Sequence, residues 1–555
     1  MLPRALLACS LLVVAFVART YQLFDSSIWA DDVWSIDVAA GHSLEVRLDG
    51  QLAGETYTDP WGPAPASWFV KYMQPLPGNN LWRVASDTFA QESHPPFFYI
   101  VLHFWMEVFG YSVAAGRSFS LLFGLASLPV LFLFGQRLAG ETTAWIACFL
   151  YALAPLQTQL AIQVRGYTLI TFLVLVTTWL TFEILENGPN PKQVRPLIWL
   201  GVTGLVTHYY FAIYAFLQGV ALLTQRRLFR TAVRVGALWT AVLAALVLYM
   251  RCQPTAISQP WMNSPWDAPL LLLNAASAMT DLLVLSPNET LKVFLAAQPV
   301  LVIVIKFLMV ATVAALLLVA QRKLPQRHAI FLLIWMAAPV LLIYTMDLVR
   351  RSGTAMTARY FAGSAFAFYL LLAAGLANLK PLARAAGTVF LLALMLSCQV
   401  ALRIVPIGYL VEGYDAKRTA AAIISNWKPH DLVIVLSDYG CVPISLAYYL
   451  PPETPLLSLV YLPRKELGPV VMPMTLETLE PRLEQGVGST PHLWVARSFP
   501  DISSSMKLDG WLAKRYRRLT ARRYGGMLLA ELELRDSKEA PASANPGAHV
   551  AGGLR

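Results

Sequence analysis

Charge is what this sequence has little of. Only 14% of the 555 residues are Asp, Glu, Lys or Arg, whereas 57% belong to the AVILMFWYC set. A soluble domain clothes its surface with about a quarter charged residues, so three or four soluble domains are excluded, as are a disordered chain and a coiled coil. Cysteine is scarce too. The five cysteines (Cys9, Cys148, Cys252, Cys398, Cys441) are an odd number, and four lie in apolar runs. That leaves no disulfide framework and no zinc spacing. There is no short-period repeat. Low complexity is confined to the stretch after Lys538, and 537–555 reads as a disordered tail.

What remains is an integral membrane protein. Apolar runs of about 20 residues cross a bilayer, and Lys and Arg stay on the cytoplasmic side. Eleven spans are predicted, at about 5–19, 118–136, 143–162, 167–185, 196–208, 209–224, 234–251, 296–319, 329–346, 360–378 and 385–402. With Arg4 inside, the inner loops carry Arg137, Lys192, Arg195, Arg226, Arg227, Arg230, Arg234, Arg322, Lys323, Arg327, Lys380 and Arg384. The first outer loop, 20–93, instead holds ten acids against three bases. Most of the formal net charge of +10 therefore marks orientation and not nucleic-acid binding. The run HPPFFYIVLHFWMEVFG (94–110) is short, opens with two prolines and carries His103 and Glu107. It reads as a helix lying in or dipping into the outer interface, with a true transmembrane helix as the alternative. The chain is expected to be multi-pass in the cytoplasmic (inner) membrane.

Beyond about Arg403 the pattern changes. KRTAAAIISNW (417–427) and TLETLEPRLEQ (475–485) read as helices, and 431–437, HLWVARS (492–498) and GMLLAELEL (526–534) as strands. The predicted organisation is a transmembrane domain over 1–402, including a first extracytoplasmic loop at 20–117, then a small α/β domain over 403–536 on the outer side. The basic run Lys514, Arg515, Arg517, Arg518, Arg522 and Arg523 reads either as a solvated helix face or as a contact for lipid phosphates.

Transporters place ionisable groups near mid-membrane; here the unexplained polar residues gather at the outer ends of spans, which favours an interfacial enzyme. Asp31-Asp32 sits between Trp29 and Trp34 in SSIWADDVWSIDVAAG, with Ser27 or Asp31 as candidate cap of a short helix. Such carboxylates can take a proton from an attacking hydroxyl or ligate a divalent cation. Cationic groups stand at the same level: His94, Arg165 in IQVRGYTL, His208 in VTHYYFAIY, and Arg359 in TARYFAG, with Arg350 and Arg351 in the same loop as Arg359. Arginine binds phosphate bidentately. Each arginine taken singly also fits a snorkelling anchor.

The segments IWADDVWSIDVAAG, ESHPPFFYIVLHFW, GRSFSLLFGLASLPVLFLFGQRLAG, YALAPLQTQLAIQVRGYTL, THYYFAIY and ARYFAGS, in that order, resemble the GT-C superfamily of polyprenyl-phosphate-sugar-dependent glycosyltransferases. The resemblance covers about 1–400. It is closest to the bacterial group of protein O-mannosyltransferases, lipid A aminoarabinose transferase and rhizobial lipopolysaccharide glycosyltransferases. It implies a GT-C-like helical fold and an inverting transfer, on the outer face, from a polyprenyl-phosphate-linked sugar to a glycan, lipid or protein acceptor. The family's acidic motif falls on Asp31 and Asp32, which are then expected to be catalytic, directly or through Mg or Mn; no other cofactor is implied. The position near the donor phosphate falls on His94, and the Gln/Glu-x-Arg-x-Tyr element on Gln163, Arg165 and Tyr167. Gln163 replaces the glutamate common in relatives. His94, Arg165, Tyr167, His208 and Arg359 are the expected substrate-binding set, with Trp61, Trp68, Tyr72 and Trp82 as candidate stacking surfaces for a sugar. The alternative function is a transporter or flippase for lipid-linked or small hydrophilic substrates.

Overall fold

The computed structural model describes residues 4–21, 23, 26–42, 62–91, 94–253, 279–284, 299–404, 415–437, 441–460, 476–498, 502–524 and 526–535. Trp61 and the 537–555 tail lie outside the described residues. The chain divides into two compact units, one helical and one built on a sheet.

The helical unit opens with α1 (Arg4–Thr20) and α2 (Ala30–Ala39), followed by α4 (Leu81–Gln91), α5 (Phe97–Phe109), α6 (Val113–Ala139), α7 (Glu141–Leu153), α8 (Pro155–Ala161), α9 (Tyr167–Asn187), α10 (Pro191–Thr207), α11 (Phe211–Leu223), α12 (Phe229–Cys252), α13 (Pro299–Lys323), α14 (Gln326–Arg350), α15 (Ala365–Ala377) and α16 (Pro381–Ile404). The short α3 (Ala66–Val70) belongs to the other unit. Among the described residues seven helices are long and apolar enough to cross a membrane, or eight if α7 and α8 are one bent span. The protein is an integral membrane protein. Eleven spans were expected from hydropathy; the helices at the other three positions, α1, α10 and α11, have 17, 17 and 13 residues. At about 1.5 Å per residue the shortest reaches roughly 20 Å, less than a bilayer core. The 13-residue α5 is equally short.

The helix α15 is the spine of the bundle, buried from Ala365 to Leu376. It packs on α7 and α13. A methyl group on Gly375 would stand 2.4 Å from the Leu316 carbonyl oxygen, so hydrogen is the largest substituent this helix crossing admits. In contrast, α13 turns Ile303, Phe307 and Val310 outward, as a lipid-facing helix does.

The predicted continuous span 143–162 is broken. Pro155 cannot donate a backbone hydrogen bond, and α7 and α8 meet there at 60°. The carbonyls freed at the break are satisfied by long side chains. Arg19, fully buried, donates to Ala152 O at 2.9 Å and Tyr151 O at 3.1 Å, and its guanidinium lies 4.8 Å from the Tyr151 ring centroid. From α16, Gln399 donates to Leu153 O at 3.3 Å and to Thr158 Oγ1 at 2.8 Å. Non-helical backbone at membrane depth is tolerated only with such partners.

The second unit holds a six-stranded sheet in the order β1-β3-β2-β4-β6-β5. Its strands are β1 (Ala64–Pro65), β2 (Leu432–Ser437), β3 (Pro455–Val460), β4 (His492–Ser498), β5 (Tyr516–Tyr524) and β6 (Met527–Leu534). β3, β2 and β4 run parallel, and β6 and β5 antiparallel. Its helices after α3 are α17 (Ala416–Ser425), α18 (Cys441–Ala447), α19 (Leu476–Val487) and α20 (Ile502–Arg515). Leu479, Leu483, Leu508 and Trp511 from α19 and α20 close an apolar core with Ile434, Leu457, Leu493 and Val495. Two findings differ from the sequence expectations. The basic run 516–524 is a strand, not a helix. And 64–65, expected in the transmembrane domain with the rest of the first loop, pairs antiparallel with β3, Ala64 opposite Leu456.

Replacing Arg19 by Met leaves the Ala152 carbonyl without its donor in a dry site, at a cost of about 1–3 kcal/mol. Thermal unfolding of the purified protein in detergent should show a lowered midpoint, with partial recovery in Arg19→Lys.

Candidate active site

The acidic pair rides on α2. Trp29 is the extended residue before the helix (φ −106°, ψ 155°). Asp31 and Asp32 occupy the first turn, where carboxylates meet the positive end of the helix dipole. The residue reaching back to the Trp29 N–H is Asp32, at 3.5 Å, in place of a cap from Ser27 or Asp31.

The two aspartates have different surroundings. Asp32 is fully buried. One oxygen accepts from the Arg117 guanidinium at 2.9 Å and the other from the Val164 N–H at 2.7 Å. Burial raises the Asp32 carboxyl above its ordinary range, against the opposing pull of Arg117 and the Val164 N–H. Arg117, on the second turn of α6, also donates to Leu23 O, Ser26 O, Ser26 Oγ and Ser27 O. This guanidinium gathers the chain leading into α2, the α2 acid and α6 into one knot. Asp31, a quarter exposed, meets Arg165 Nε at 3.3 Å. Arg165 is steadied by the Tyr99 hydroxyl at 2.9 Å and by Ser35 Oγ at 3.5 Å, one turn along α2 from Asp31.

Arg165 hangs in the irregular segment 162–166 between α8 and α9. Val164 and Arg165 are successive residues there, so the same five residues grip both acids. Gly116 lets α6 approach: a Cβ on it would stand 2.8 Å from Val164 Cγ1.

The remaining expected residues form an aromatic cluster. His94 and His208 rings lie 4.7 Å apart, and His208 stacks on Tyr210 at 5.2 Å. His208 Nδ1 accepts the Tyr210 N–H at 3.2 Å. Tyr167 lies 5.7 Å from His208, and Tyr210 lies 4.8 Å from Tyr360. The Arg359 guanidinium faces Tyr167 at 5.6 Å and Tyr360 at 5.3 Å. Tyr167, His208, Tyr210, Tyr214, Arg359 and Tyr360 line a narrow hollow whose wall also includes Ile170 and Val174 of α9. The charges of Asp31 and Arg165 act on both Tyr167 and Tyr360. The structure therefore brings Asp31, Arg165, Tyr167, His94, His208 and Arg359 together, and sets Asp32 behind them as a buried anchor. Sequence reasoning missed Arg117 and Tyr99, because a basic residue just before a predicted span reads as an anchor and a tyrosine in an aromatic run reads as packing.

The proposed sugar-stacking aromatics do not join this cluster as a set. Tyr72 is fully buried against His42, and Trp68 packs on Phe69 and Lys71 in the second unit. Trp82 is 83% exposed.

A shared metal on Asp31 and Asp32 does not fit this donor set. Both Asp32 oxygens are taken by Arg117 and Val164, and Asp31 is tied to a guanidinium. Among the described residues no group of three or more His, Cys, Asp or Glu is placed to hold a metal ion.

Residues 93–252 match a family model described as dolichyl-phosphate-mannose-protein mannosyltransferase. The match runs from the start of α5 to the end of α12 and includes His94, Arg165, Tyr167 and His208. Over that segment the chain is similar to this mannosyltransferase family. No curated protein matches the chain in a sequence search. Among solved structures, ArnT from Cupriavidus metallidurans in the apo state aligns at 11% identity over 95% of this chain and 97% of that chain, TM-score 0.48. ArnT from the same organism bound to undecaprenyl phosphate aligns at 12% over 95% and 97%, TM-score 0.48. An Archaeoglobus fulgidus oligosaccharyltransferase in complex with Zn and sulfate aligns at 14% over 88% and 67%, TM-score 0.46.

Two stability predictions follow from the different roles of the carboxylates. Asp32→Ala strands the buried Arg117 and should lower unfolding free energy by about 3–5 kcal/mol, whereas Asp31→Asn, at a partly solvated pair, should change it by about 1 kcal/mol or less. Thermal unfolding of the two variants measures the contrast. Asp37 is also fully buried on α2, with neither oxygen hydrogen-bonded among the described residues, and burial holds its carboxyl well above the usual range. Because the folded state keeps this proton longer than the unfolded chain, the stability tied to it is lost as pH rises through the folded value. Asp37→Asn should match the parent below the unfolded carboxyl value of about 3.9 and become relatively more stable as pH increases, read as unfolding midpoints across a pH series.

Proposed function

We propose that the protein transfers a sugar from a polyprenyl-phosphate-linked donor to an acceptor hydroxyl at the extracytoplasmic face of the inner membrane, with Asp31 as the general base. The observation that carries this reading is a partly exposed carboxylate paired with Arg165 beside a tyrosine- and histidine-lined hollow holding a second guanidinium, Arg359. The polyprenyl chain would lie along the apolar wall continued by Ile170 and Val174. Its phosphate would draw on Arg359 and Arg165, where charge develops as the leaving group departs. A phosphate that competes for Arg165 loosens that residue's hold on Asp31, so donor binding and base release are coupled. The acceptor oxygen then forms a bond to the anomeric carbon, and its proton passes to Asp31. The anomeric carbon–oxygen bond breaks towards polyprenyl phosphate, and configuration inverts. Asp32 holds α2 and 162–166 in register and does not meet the acceptor. No step is routed through a metal. The broken span α7–α8, a feature shared with transporters, has its Tyr151, Ala152 and Leu153 carbonyls occupied by Arg19 and Gln399, which favours a structural role for the break.

The test is incubation of the purified protein with radiolabelled polyprenyl-phosphate sugars and membrane extract, followed by identification of the labelled product. General base catalysis typically contributes about 10²–10⁴-fold, so Asp31→Asn should lose about that much turnover while unfolding like the parent. Full turnover in Asp31→Asn overturns the assignment. Loss of one charge-assisted phosphate contact is worth about 1.5–3 kcal/mol, so Arg359→Ala should weaken competition by undecaprenyl phosphate about 10- to 100-fold. Unchanged competition would leave Arg359 as a packing residue.

A further inference from the structure

The basic run of the second unit begins at the last turn of α20 and continues along β5, the strand at the open edge of the sheet. Six of the ten residues 514–523 are Lys or Arg, and no acid occurs between Asp509 and Glu531. In β5 every residue from Arg517 to Arg523 is exposed, so the strand overhangs the domain on both faces. The cross-strand register puts Arg517 and Arg522 opposite Glu533 and Leu529 on one face, and Arg518 and Arg523 opposite Leu532 and Leu528 on the other. Between Arg518 and Thr520 the pairing slips at Leu519, which stands 39% exposed in the middle of the basic stretch.

Three of these cations have local duties. Arg515 binds Glu484 and covers the Trp511 ring, and Arg517 binds Glu533 at 2.7 Å. Arg523 has an interaction of its own. Lys514, Arg518 and Arg522 have no acidic partner among the described residues. Blunting an edge strand against unwanted pairing takes a charge or a bulge. Here there are both, and three cations to spare around an exposed leucine. Basic side chains flanking an apolar wedge match the chemistry of an anionic lipid surface.

The chain that carries this edge also carries the membrane-spanning helices, so headgroups are met at high effective concentration and weak contacts suffice.

We propose that the outer edge of β5 is a docking strip for the anionic phospholipid surface of the bilayer in which the chain is embedded, with Arg518 and Arg522 reaching headgroup phosphates from the two faces of the strand, Leu519 entering between them, and Lys514 at the end of α20 adding a third cation. This is independent of transferase activity. Each basic residue near an anionic leaflet strengthens contact about five-fold, so neutralising three weakens it about a hundred-fold.

The experiment is hydrogen–deuterium exchange of the full chain in nanodiscs of phosphatidylcholine and of phosphatidylglycerol. Peptides covering 514–524 should exchange several-fold more slowly with phosphatidylglycerol, while the 416–425 helix is unchanged. The protection should vanish in about 1 M salt, where the Debye length falls to about 3 Å. It should also vanish in the combined variant Lys514→Gln, Arg518→Gln, Arg522→Gln. Equal exchange in the two lipids overturns the proposal. So does protection that needs a soluble phosphorylated oligosaccharide added to phosphatidylcholine nanodiscs, an outcome that would assign the strip to a glycan instead. The salt arm uses the parent protein and stands even if the variant is unstable.

Discussion

The site depends on one buried ion pair. Arg117 and Asp32 meet at 2.9 Å with almost no solvent on either side chain. Two charges removed from water are tolerated when further hydrogen bonds offset the lost hydration. Here the guanidinium also satisfies carbonyls and a hydroxyl of 23–27, and the second carboxylate oxygen holds the Val164 N–H. The pair therefore fixes three things at once: the entry into α2, the second turn of α6, and the segment 162–166. Asp31 and Arg165 inherit their positions from it. One acid of an adjacent pair is consumed as an anchor so that the other can face the pocket.

A second constraint comes from the opposite side of the same segment. Pro155 breaks the span that leads into 162–166, and Arg19 and Gln399 take up the carbonyls it releases. The carbonyls freed at the break are thereby paired, as irregular backbone within a helical bundle requires. Two long polar side chains, on α1 and α16, thus make room for a loop in which consecutive residues grip consecutive aspartates.

Much of this was legible in the chain. The order of apolar runs, the grouping of Asp31, Arg165, Tyr167, His94, His208 and Arg359, and the elements 416–425, 432–437, 492–498 and 527–534 were all within reach of local pattern and family resemblance. What was not legible is long-range. Asp31 and Asp32 are indistinguishable neighbours in sequence; only the arrival of Arg117 from 85 residues away makes one of them structural. Arg19 was counted as the end of a span because nothing nearby reveals the broken helix it serves. YRRLTARRY was missed as a strand because both its faces are exposed, which removes the alternation that betrays most strands. Pattern reports which face of an element is dry, and these residues answer to partners far along the chain.

The pairing of β1 with β3 carries a consequence for how the protein is made. Ala64 leaves the ribosome 392 residues before Leu456, the residue it must lie beside. At about 5–20 residues per second, that interval is roughly 20–80 s. For that time the strip around Ala64 has no sheet to join, although the membrane helices on either side of it in the chain have already been synthesised. Completion of this part of the first loop therefore waits for the second unit, and any ribosome stall or premature stop before β3 leaves β1 without its partner strand.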